Sequence, residues 1–368
     1  MKKLLFLLIS TSFIFQSCLR DNEDPVAVSP IIGKIDSADV GGASEPNQVW
    51  YDLSSGDKTL NKRTDWDLAF YSGDEFKVII NSSIMMAAGK IPNVTDINQV
   101  KESDVATLKT KVQVANFDPN NVTYIDDVKG NFPTSYTAIE EVKVVDSDNA
   151  VYLVNMGKNI YTGSIPIGSV TTGGTDRGWM KLQIVRNGSS AYKIKYANIG
   201  ETTYKEYIIN KNTDYNFNYF SMTDNKEVVI QPQKQKWDLC FTVFTNVIEG
   251  AGTYIYADFV TDNIVGGSAS YQVTIPAGTP ASDYYNNFTA ADIDISKFDH
   301  TDQRAIGANW RNPVGTNGLE VYGDRFYVVK DPEGFYFKLR FTRMTKTKTD
   351  QYGEAGERGF PQFEYKPL

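Results

Sequence analysis

The chain has 368 residues, 45 Asp and Glu against 37 Lys and Arg, and a formal net charge of -8. That length is enough for two ordinary domains, each able to bury a core, and the negative balance argues against nucleic acid or an anionic membrane face as partner. With one His and two Cys, the chain carries no His-Glu-x-x-His or Cys-x-x-Cys zinc signature and no disulfide framework.

Lys2 and Lys3 precede an apolar run over residues 4–15, and Gln16-Ser17 leads to Cys18. Charge, length and position predict a secretory signal over residues 1–17. A cysteine directly behind it resembles a bacterial lipoprotein cleavage site, so Cys18 is the expected lipid attachment point and the outer membrane the expected location. Residues 18–32, with the acidic cluster Asp21-Asn22-Glu23-Asp24 and a linker from Pro25 to Pro30, read as a flexible tether. Acidic residues just after a lipidated cysteine resemble a surface-export signal, which puts the folded part on the cell surface. If Cys18 carries lipid, Cys240 has no disulfide partner and reads as a small core residue.

The remainder reads as short strands, because β-branched and aromatic residues dominate and several runs alternate with polar ones. Residues 78–81, 142–145, 151–154, 180–184, 192–196 and 335–341 are the clearest. The last run puts Phe335, Phe337, Leu339 and Phe341 on one face. Helix signals are scarce, with residues 96–109 and 289–298 the best candidates. The expected fold is all-β and largely antiparallel, with few short helices.

One pattern occurs twice. Asp65-Trp66-Asp67-Leu68-Ala69-Phe70 and Lys236-Trp237-Asp238-Leu239-Cys240-Phe241 lie 171 positions apart (237 minus 66), about one domain length. Each follows an extended segment and a polar turn: residues 49–53 run into Ser54-Ser55-Gly56-Asp57, and residues 219–222 into Thr223-Asp224-Asn225-Lys226. The two halves also end alike if residues 188–196 are matched to 334–341. This is an internal duplication, with two related β domains over residues 33–212 and 213–368. The two Trp read as core anchors, and the Asp that follows each as a turn or capping partner.

The second half resembles the haem-binding HmuY-like lipoproteins in the ordered set Tyr219-Phe220-Ser221, Lys226-Glu227-Val228-Val229, Trp237-Asp238-Leu239, Arg325-Phe326-Tyr327-Val328-Val329, Gly334, Phe337-Lys338-Leu339-Arg340-Phe341 and Phe363-Glu364-Tyr365. The first half follows through the duplication. The resemblance implies two HmuY-like β domains in tandem. It also implies a surface lipoprotein that binds haem like a hemophore and hands it to an outer-membrane haem transporter.

Haem capture needs an apolar slot and one or two axial donors. The family's paired histidines would fall near residues 282–285 and 311–315, and neither place has one. The donors left to consider are His300, Met85, Met86, Tyr284 and Tyr285. Met156 and Met180 are further methionines behind the signal, and Met222 and Met344, in or just after strands, read as core residues. No catalytic constellation is present: a Ser-His-Asp triad has only His300 to build on, and no phosphate loop or distinct carboxylate pair stands out. The alternative on the same fold is a non-catalytic carbohydrate- or protein-binding surface lipoprotein, which predicts exposed aromatic platforms at Trp50, Trp179 or Trp310.

Overall fold

A computed structural model describes residues 31–315, 318–347 and 356–368. The predicted signal, Cys18 and most of the tether lie outside them. The strands of the first half are β1 (Lys34–Ser37), β2 (Asn47–Tyr51), β3 (Lys58–Lys62), β4 (Leu68–Tyr71), β5 (Val78–Ile80), β6 (Ala87–Lys90), β7 (Val151–Asn155), β8 (Trp179–Arg186), β9 (Ala191–Asn198) and β10 (Lys205–Asn210). The second half carries β11 (Phe217–Ser221), β12 (Lys226–Val228), β13 (Leu239–Ile248), β14 (Gly252–Asp262), β15 (Ala269–Thr274), β16 (Arg311–Gly315), β17 (Gly318–Val321), β18 (Arg325–Lys330), β19 (Tyr336–Thr345) and β20 (Arg358–Pro367). Helices are short: α1 spans Glu102–Lys109 and α2 spans Ala281–Asn287.

Four of the sheets form two outer and two inner layers. The outer sheets run β10-β9-β8-β7-β6 and β1-β20-β19-β18-β15, and the inner sheets run β12-β11-β4-β5 and β14-β13-β2-β3. Every pairing between named strands is antiparallel.

Period-2 alternation lets each inner strand serve two cores at once. On β4, Leu68 and Phe70 face the first outer sheet, while Ala69 packs with Trp66, Phe217 and Tyr219 toward the other inner sheet. On β2, Trp50 meets the Trp237 ring edge-on at 4.6 Å, whereas Tyr51 turns the other way to Phe363 at 5.1 Å.

The order of strands in the inner sheets is not the order of the halves. The opening hairpin of the first half, β2-β3, pairs with β13 of the second, and the opening hairpin of the second, β11-β12, pairs with β4 of the first. The two halves have exchanged hairpins. In addition, β1 completes the edge of the second outer sheet at the place that β10 holds in the first. Residues Gly33–Leu368 consequently form a single compact unit.

The repeated Trp-Asp motif fastens this exchange. Asp67 Oδ2 accepts the Met222 backbone N–H at 2.7 Å, and Asp238 Oδ2 accepts that of Leu53 at 2.6 Å. Each carboxylate therefore holds the end of the other half's hairpin. The backbone repeats the relation, with Asp67 N–H donating to Phe220 O and Asp238 N–H to Tyr51 O. Behind each motif a buried amide closes the corner. Asn81 donates to the carbonyls of Arg63 and Trp66, and Asn263 to those of Lys234 and Trp237.

Three sequence expectations need correction. Residues 142–145 form no strand, because the Asn149 side chain bonds the backbone of Lys143 and Val145 and takes the place of a ladder partner. Helix over 96–109 shrinks to a short turn at Ile97–Gln99 and α1, and 289–298 gives only two 3-10 turns, with α2 lying just before them. The end match is one strand out of step: sheet order makes β19 the counterpart of β8 and β20 that of β9.

Candidate functional site

Two concave places are built by this architecture. The first is a slot between the inner sheets, with about 880 Å³ of empty space including its open side. Trp50, Trp66, Phe132, Phe217, Tyr219 and Trp237 wall it, and Met86 and Cys240 also line it. Its polar lining includes amides, carboxylates and hydroxyls, among them Gln48, Asn216, Asn263, Asp126 and Thr261, and no Lys, Arg or His among the described residues lines it. Burial pushes the Asp126 carboxyl up to about 7, against two backbone N–H bonds from Ala138 and Ile80 that pull it back. Burial also pushes the Cys240 thiol well up, so it is an inert core thiol.

The second place is an open cleft of about 890 Å³ beside α2, lined by Tyr271, Val273, Asp283, Tyr284, Phe288 and Lys297 among others. Tyr284 and Phe288 are four positions apart and share a face. The helix is held at its C-terminal end by Lys338, whose buried ammonium donates to the carbonyls of Tyr285, Asn286 and Phe288 at 2.7, 3.1 and 2.7 Å. Below the helix, Tyr285 and Phe288 pack edge-on against Phe326 at 5.4 and 5.1 Å. The cleft thus has an aromatic wall on a fixed helix, one cation and several carboxylates.

The five candidate donors fall in different places. Tyr284 is half-buried and lines the α2 cleft. Its neighbour Tyr285 is fully buried, donates its hydroxyl to Lys338 O at 3.1 Å, and has its phenol pushed up by burial, so it is a core residue. His300 is exposed in the loop beyond the cleft wall, with its ring 6.4 Å from that of Phe298. Met86 is buried in the first outer-inner core and reaches the central slot. Met85 takes a left-handed backbone with φ 64° and turns to the other side, where its sulfur lies against Gly173. The fold brings no two of the five into one cavity.

The exposed-platform expectation fails at two of its three residues. Trp310 and Trp50 are 1% and 6% exposed, the first stacked on Phe341 and the second edge-on against Trp237. Trp179 is half-buried. Sequence reasoning missed Lys297, Phe288 and Tyr271 as cleft residues. Their only signal was proximity in sequence to Tyr284 or to the strand ahead of it. It also missed the central slot altogether, since the slot exists only because the hairpins are exchanged.

The HmuY protein family matches the chain twice, over residues 44–216 and 213–365. No curated protein matches it. Among solved structures, the apo HmuY analog (TFO) of Tannerella forsythia aligns at 11% identity, covering 93% of this chain and 100% of that one, with a TM-score of 0.19. So loose a superposition carries no geometric argument, whereas the two family matches together span nearly all of the folded unit. The chain belongs to the HmuY family and contains two copies of its domain in tandem.

Proposed function

We propose that this protein binds haem in the manner of a hemophore and passes it to an outer-membrane haem transporter, held at the cell surface by lipid on Cys18. The observation that carries the reading is the double family match. The α2 cleft supports it chemically. It offers a flat aromatic wall, a half-buried phenol at Tyr284 able to hold ferric iron, and Lys297 as a counter-ion for a propionate at the open side. The central slot suits haem less well, because a porphyrin with two carboxylates would meet Asp126 and Asp127 there and no cation. The role is binding and delivery without catalysis. A carbohydrate-binding surface module is the second reading, and the burial of Trp50 and Trp310 weighs against it.

The test is an absorbance titration of lipid-free protein with haemin, oxidised and dithionite-reduced. The expected result is a saturable Soret band that Tyr284→Phe abolishes and that His300→Ala and Met85→Ala leave in place. A spectrum indistinguishable from free haemin would remove the haem reading. Loss on His300→Ala with retention in Tyr284→Phe would move the donor.

A further inference from the structure

The central slot has a feature that its own symmetry exposes. Equivalent positions follow from register: Leu68 faces Phe220 and Leu239 faces Tyr51, so Phe217 stands in the second half where Gln48 stands in the first. Trp66 and Trp237 are likewise equivalent. The Trp66 indole N–H donates to Gln48 Oε1 at 2.8 Å. At the second copy the matching acceptor is replaced by the Phe217 ring, and the buried Trp237 indole N–H has no partner among the described residues. Trp237 is 6% exposed and forms part of the slot wall.

Three other polar side chains of the wall, those of Gln48, Asn216 and Asp126, are already engaged. Gln48 Oε1 also accepts from Asn61 at 3.1 Å, Asn216 donates to Asn263 at 2.8 Å, and Asp126 holds two backbone N–H groups. A buried donor left unmet is unfavourable, and such groups in folded proteins usually find a partner or await one. Here the indole that carries the donor walls an aromatic slot with a cavity volume of about 100 Å³.

We propose that the slot between the two halves is a binding site for an uncharged aromatic molecule carrying one hydrogen-bond acceptor, which takes the Trp237 indole N–H. Aromatic walls at Trp50, Phe132, Phe217 and Tyr219 favour a flat apolar body. Asp126 and Asp127, with no lining cation among the described residues, disfavour an anion. This site is separate from the α2 cleft and does not depend on haem binding there, since the two share no lining residue.

The probe is 6-propionyl-2-dimethylaminonaphthalene, a neutral aromatic ketone whose emission reports its surroundings, titrated into the full protein. The expected result is saturable one-to-one binding with blue-shifted emission. Trp237→Phe should weaken it about threefold to tenfold, the equivalent of one net hydrogen bond. In the wild-type protein, the Trp237 indole N–H resonance should move downfield on binding, a readout that stands even where the variant folds poorly. The anionic dye 8-anilinonaphthalene-1-sulfonate should bind more weakly. No saturable binding, unchanged affinity in a folded Trp237→Phe variant, an unmoved Trp237 resonance, or tighter binding of the anion would each overturn the proposal. A haemin titration of the same samples reports separately on the α2 cleft.

Discussion

Asp67 and Asp238 occupy the same position in the two copies and do the same backbone work, yet their charges are handled differently. Asp67 is met by the Arg177 guanidinium at 2.8 Å, which offsets part of the rise that burial imposes on its carboxyl and also donates to Met156 O. Asp238 has no cation against it among the described residues; burial pushes its carboxyl well up, with Asp52, Asp331 and Glu333 adding to the rise. The duplication has therefore preserved hydrogen-bond geometry and not electrostatics. A buried acid can hold a neighbouring N–H as an ion with a partner or as a neutral group without one.

The largest effect should come from removing the cation. Arg177→Ala leaves Asp67 buried and unpaired, and about 3–5 kcal/mol of stability should be lost at neutral pH, read as a lowered midpoint in chemical denaturation. Stability unchanged within error would mean that the two motifs are electrostatically alike after all.

A smaller effect should appear as pH rises. Each half also buries an acid pushed up to about 7 by burial, Asp126 in the first and Asp262 in the second. Between about pH 4 and 7 the folded chain keeps a proton there that the unfolded chain has released, so stability falls as pH rises through this window. The decline should amount to roughly 2 kcal/mol per group between pH 5 and 7. Asp126→Asn should flatten its share in a denaturation series across that range, and a slope unaltered by the substitution would count against the assignment.

The smallest effect belongs to Asp238→Asn. A neutral amide oxygen can still accept the Leu53 N–H, so the change should cost less than about 1 kcal/mol at neutral pH, and less still as pH rises, since the variant has no proton to lose. A loss as large as that of Arg177→Ala would show that Asp238 is ionised in the folded protein.

Much of this fold was readable from residue patterns. Alternation identified β8, β9 and β19, and the repeated Trp-Asp pair announced the duplication and the buried anchors at Trp66 and Trp237. The exchange of hairpins was not readable. Alternation fixes which face of a strand is buried and leaves open which equivalent partner it pairs with, and β2 and β11 both suit either Trp-Asp strand. The central slot was hidden for the same reason. The α2 cleft was half legible: Tyr284 was a candidate from the start, but an Asn- and Tyr-rich segment with little helix propensity gave no sign of α2. The buried state of Trp310 depends on a stack against Phe341 from a distant strand, which local sequence does not encode.

The exchange makes one claim about the chain that no single substitution reaches. Every buried residue of the first outer-inner core lies between Leu68 and Met222, so residues 64–232 hold a complete set of strands, while residues 33–212 lack β11 and β12. Circular dichroism and thermal melting of these two fragments is the most direct measurement. The account predicts a β-rich spectrum and a cooperative melt for 64–232 and neither for 33–212. A folded 33–212 beside an unfolded 64–232 would show that each copy closes on its own hairpin, and would contradict it.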